Sequence, residues 1–128
     1  MKWGSKHGLF TLRVALGLLF LVAGIGKLTD PTGTAAYFAS IGIPLAAVAA
    51  WLVILAEVLG GAALLVGWRT KWAVVPLGVV MLVATFFVAL PGAISTGNAL
   101  NVLFHLLALA GLKTMYLAGP GAWALKGK

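Results

Sequence analysis

Glu57 stands near the middle of a long apolar stretch and is one of only two acidic residues in the 128-residue chain. A carboxylate held among apolar neighbours has to pair with a cation, take up a proton or face water. Arg13, about a turn inside an apolar stretch of its own, is the expected partner. Its guanidinium keeps its charge in a low dielectric and can satisfy both carboxylate oxygens. Lys113 is the next candidate, although its depth suits a side chain that snorkels to the boundary. Lys27, three residues before Asp30, reads as an anchor beside that acid. A second constellation is His105 with Asn101, one helical turn apart and so on a shared face. Trp51 is a candidate neighbour, set deeper than a boundary tryptophan normally sits. This group can line a cavity and donate to a polar ligand such as a quinone carbonyl. Its plainer reading is a neutral imidazole hydrogen-bonded to a neighbouring helix. One His and one distant Glu make no metal site, and His7, far from His105, makes no haem pair. The absence of cysteine excludes thiol redox chemistry and iron–sulfur clusters.

The elements that hold these residues follow from composition. Apolar residues make up 62% of the chain and charged residues 9%, against roughly 45–50% and 25% in soluble domains. So few charges cannot cover so much apolar surface in water; the solvent is lipid. The net charge of +7 sits mainly in the tails and one short loop, without a basic face interleaved with aromatics. That distribution sets membrane topology and argues against nucleic acid as a partner. A span needs about 20 mostly apolar residues, and four stretches qualify: about Leu9–Leu28, Pro44–Gly67, Trp72–Leu90 and Ala99–Ala118. The expected fold class is all-α, an integral membrane bundle of four transmembrane helices in a single domain, residues 1–128. A short interfacial helix is expected between the first two spans. Asp30 caps it, Pro31 opens it, Gly42 closes it, and Tyr37, Phe38 and Ile41 share one face. Lys2, Lys6, Arg69, Lys71, Lys126 and Lys128 fall on one side and Lys27 alone on the other. Both termini are therefore expected on the cytoplasmic side of the cell membrane.

The first span reads Arg13-x-x-x-Gly17-x-x-Phe20-x-x-x-Gly24-x-x-Lys27. The second carries Glu57, Gly60-Gly61 and then Gly67-Trp68-Arg69, and the fourth ends in Gly119-Pro120-Gly121. Together these motifs resemble the DoxX family of small four-helix membrane proteins over nearly the whole chain. The tail, Ala122-Trp123-Ala124-Leu125-Lys126, departs from relatives that carry a Ser and an Asp there. The resemblance implies a membrane subunit of a respiratory or quinone-linked redox complex. The chain has no electron-carrying group of its own, so any enzymatic part would be that of a quinone-binding subunit, with quinone as its one candidate cofactor. A non-catalytic assembly or stabilising subunit is the alternative, and a small proton-coupled transporter the third. Expected partners are the lipid bilayer and other membrane subunits, or further copies of the chain.

Overall fold

A computed structural model gives the fold and describes residues 3–125. Lys2, Lys126 and Lys128, which enter the charge count above, lie outside the described residues. The order is α1 (Trp3–Leu28), α2 (Pro31–Ser40), α3 (Ala46–Val66), α4 (Thr70–Ala84), a π-helical turn (Thr85–Ala89), α5 (Leu90–Thr96) and α6 (Leu100–Ala118). Four continuous helical stretches are long and apolar enough to cross a membrane: Trp3–Leu28, Ala46–Val66, Thr70–Thr96 and Leu100–Ala118. The chain is all-helical, with no strand among the described residues. Helices satisfy their own backbone groups, which lipid cannot do.

The connections follow local chemistry. The Asp30 carboxylate accepts from Gly33 N at 2.9 Å and Pro31 opens α2. Gly42 turns the chain with φ +89°. Gly67, in the left-handed region, closes α3: its N–H bonds Leu64 O, and the Trp68 N–H bonds Ala63 O. Two bounds differ from the sequence reading by more than two residues. The first helix begins at Trp3, and the third span continues past Leu90 to Thr96. Pro91 has no N–H to donate to the ladder, which would ordinarily end the helix here. The helix instead widens: the Leu90 N–H reaches Thr85 O, five residues back, and the chain stays helical.

Glycine sets the packing. In the antiparallel α1–α3 pair, a Cβ on Gly61 would lie 2.6 Å from Leu21 N. One on Gly17 would lie 2.9 Å from Leu65 N, and one on Gly24 2.8 Å from Val58 N. Backbone therefore meets backbone at three levels, the close approach on which helix association in lipid depends. Gly60 faces Leu77 of α4, and α4 packs in turn on α6. Phe20, Ile54, Leu64, Leu77 and Met115 fill the centre.

This register corrects the expected Arg13–Glu57 pair. Gly24 touches Glu57 and Val58, so Glu57 lies near the far end of α1. Arg13 is about a dozen residues away along α1, roughly 18 Å at 1.5 Å per residue. It does point inward, and it is fully buried, but its partners are backbone oxygens. Its Nη1 donates to Leu64 O (2.8 Å) and Leu65 O (3.0 Å), at the end of α3. Nε donates to Pro120 O (2.8 Å), and Nη2 to Ala122 O (2.8 Å) and Trp123 O (3.1 Å). A fixed cation at a helix C-terminus also meets the negative end of the dipole. Gly121 makes the tail's approach possible: a Cβ there would lie 2.6 Å from Lys6 O. Arg13 is thus the clasp that holds α1, α3 and the tail together at one end of the bundle.

Candidate functional site

Glu57 pairs with Lys27, not with Arg13 or Lys113. Lys27 Nζ donates to Glu57 Oε1 at 2.8 Å, the only ion pair among the described residues. Asp30, the expected neighbour of Lys27, is engaged instead in capping α2. The two partners differ in access: the carboxylate side chain is 5% exposed and the lysine 30%. An ammonium has three donors, and one is recorded on Glu57.

The pair stands at the edge of a cavity of about 380 Å³. Leu19, Phe20 and Ala23 of α1 line it, with Phe38 of α2, Val53 of α3, and Phe104 of α6. The widened π turn contributes Phe87 and Val88, as such turns often do at sites of function. The only polar side chains in the lining are Lys27, Tyr37, Glu57 and His105.

The expected trio of His105, Asn101 and Trp51 separates. His105 lines the cavity, whereas Asn101 and Trp51 do not. Asn101 is exposed and contributes only its backbone carbonyl, which meets His105 Nδ1 at 2.7 Å. Trp51, 47% exposed, lies on the outer face of α3. The Asn101 carbonyl can only accept, so the proton belongs on Nδ1. In a neutral imidazole Nε2 is then an acceptor, the reverse of the expected donor role. Lys113 is exposed on α6 and takes no part.

Lys27 and Tyr37 are the members the sequence reading left out. The glycine spacing carried the signal for Lys27. Setting Gly17 against Gly61 in an antiparallel pair puts Leu21 level with Glu57 and Lys27 six residues beyond it, about 9 Å, a gap that the long Lys and Glu side chains span together. Tyr37 had no comparable signal, because its place depends on how α2 lies on α3. No group of His, Asp and Glu suited to a metal ion occurs among the described residues.

The DoxX family model matches residues 8–90, the stretch that holds Arg13, Lys27, Tyr37 and Glu57. The chain belongs to the DoxX family. This DoxX chain is also 32% identical to Inner membrane protein YqjF of Escherichia coli (strain K12) over 127 residues, 98% of this chain and 94% of that relative. No solved structure matches it. With four apolar helices and that kinship, it is an integral membrane protein. His105, by contrast with Lys27 and Glu57, lies beyond the stretch that the DoxX model matches.

Proposed function

We propose that the chain is the quinone-binding subunit of a membrane redox complex. The supporting observation is the cavity, whose polar groups stand in an otherwise apolar wall between helices. Its volume is within the roughly 300–1,000 Å³ range of small-molecule sites, and a few placed polar groups in an apolar lining are what fix a ligand's orientation there. The residues fit a quinone headgroup. Lys27, partly exposed beside Glu57, offers N–H donors to a ring carbonyl. His105 Nε2 offers an acceptor to a ring hydroxyl, and the apolar wall suits the tail. A bound quinone would supply the electron chemistry. The chain contributes orientation and proton contacts, and a partner subunit has to deliver electrons.

The test is quinone content after purification in a mild detergent. Wild-type chain is expected to retain quinone, and His105→Ala to lose most of it while keeping its melting temperature. A pure, folded chain without quinone, which also fails to take up decylubiquinone, would exclude this reading. A stable complex with other membrane subunits would then point to an assembly role. Proton-coupled uptake by a homodimer would point to transport.

A further inference from the structure

A second cavity, of about 510 Å³, lies at the opposite end of the bundle and has no part in the quinone reading. Arg69, Thr70, Lys71 and Trp72 at the start of α4 line one side of it, and Tyr116 and Pro120 belong to the other. We propose that it binds a phosphate oxyanion, supplied by an anionic phospholipid headgroup or by free phosphate.

The first turn of α4 presents N–H groups that have no intrahelical acceptor, together with the positive end of the helix dipole. Arg69, the N-cap residue, places no side-chain acceptor on them. Such an end suits an anion, but the decisive observation is Thr70. It is 4% exposed, it lines the cavity, and its buried Oγ1 has no hydrogen-bond partner. Folded chains rarely leave a buried hydroxyl in that state. An oxyanion accepting from Oγ1 resolves it.

The chain itself holds no acidic side chain to do so. It has two acids: Glu57 pairs with Lys27 and Asp30 caps α2, both at the other end of the bundle. The cations are local. The Arg69 guanidinium lies 5.0 Å from the Trp68 ring and Lys71 Nζ 5.0 Å from the Tyr116 ring. Trp68 and Trp72, 48% and 62% exposed, mark this level as the membrane boundary, where headgroup phosphates lie. A tetrahedral oxyanion has acceptor oxygens enough for the hydroxyl, the helix end and the cations that line the same cavity.

The test uses the full chain in nanodiscs of phosphatidylcholine, with phosphatidylglycerol or inorganic phosphate added. Native mass spectrometry reads retained lipid or phosphate, and a melting curve confirms folding. Phosphatidylglycerol is expected to be retained over phosphatidylcholine. Lys71→Gln should weaken that retention about fivefold. Thr70→Val should weaken it as well, and Thr70→Ser should restore it. Lys113→Gln, which removes a cation outside the cavity, should leave it unchanged. Displacement of the lipid by inorganic phosphate would support the site and make free phosphate a ligand too. Resistance to displacement would support it with the headgroup as ligand. Retention indifferent to Thr70→Val, equal loss in Lys113→Gln, or no preference for either anion would overturn the proposal.

Discussion

Arg13, Lys27 and Lys113 all lie in membrane-spanning helices, and each has a different solution to the cost of charge in lipid. Lys113 is exposed at the bundle surface, Lys27 has a carboxylate, and Arg13 has five carbonyl contacts. Only the middle one depends on Glu57. Lys27→Met alone should strand that buried carboxylate and lower stability by about 3–5 kcal/mol, whereas Lys27→Met with Glu57→Leu should cost far less. Unfolding titrations in detergent read both. The same measurement separates the ion pair from the Arg13 clasp. Glu57→Gln and Arg13→Leu share no contact, so their losses should add within about 0.5 kcal/mol. A strong interaction between those two variants would mean that Arg13 and Glu57 meet after all. The inward direction of Arg13 agrees with the sequence reading, which gave the guanidinium a partner inside the bundle. The identity of its partners was not legible there. Backbone carbonyls carry no residue signature, and three of the five belong to a tail whose return over α1 rests on Gly121.

At the level of elements, the small residues of α1 and α3 decide which polar groups meet. Gly24 abuts Glu57 and Val58, a turn from Lys27, so a methyl there pushes α1 off α3 at the ion pair. Gly24→Ala should lower stability by about 1–3 kcal/mol through overpacking and reduce quinone retention with it. Gly26, two residues on, has nothing within 4 Å of a Cβ. Gly26→Ala should be neutral or stabilising by up to about 1 kcal/mol, because helical alanine is preferred over glycine. Equal behaviour of the two variants in melting and quinone-content assays would remove the close-packing argument. The four spans, the Asp30-Pro31 start of α2 and the small-residue faces could all be read from the sequence, because each has a residue-level cause. The π turn could not. A proline near the end of an apolar run normally stops a helix, and whether it widens one instead depends on packing around it. That widening brings Phe87 and Val88 to the cavity wall, so the cavity itself was beyond reach of spacing alone.

Across the whole molecule, the two ends are electrostatically unlike. Lys6, Arg69 and Lys71 lie at the end where Trp3 meets Trp123, and neither acid is there. At the other end Lys27 is neutralised by Glu57, and Asp30 is the remaining charge. The pairing sharpens the bias beyond what counting residues gives, since the one cation of the far end is not free to act as a topological signal. The positive-inside tendency then predicts a bundle with its termini in the cytoplasm. In that orientation the cavity beside Glu57 would fall in the opposite leaflet, and the proposed phosphate site in the cytoplasmic one. The chain's lack of cysteine makes this directly measurable. Ser5 and Ser95 are both exposed, near opposite ends of the bundle, so a single cysteine at either position is a clean reporter. In right-side-out vesicles a membrane-impermeant maleimide should label Ser95→Cys at once. Ser5→Cys should react only after the membrane is opened. The reverse pattern would invert the bundle and place the proposed quinone cavity in the cytoplasmic leaflet, so that any electron-donating partner would have to approach from that side.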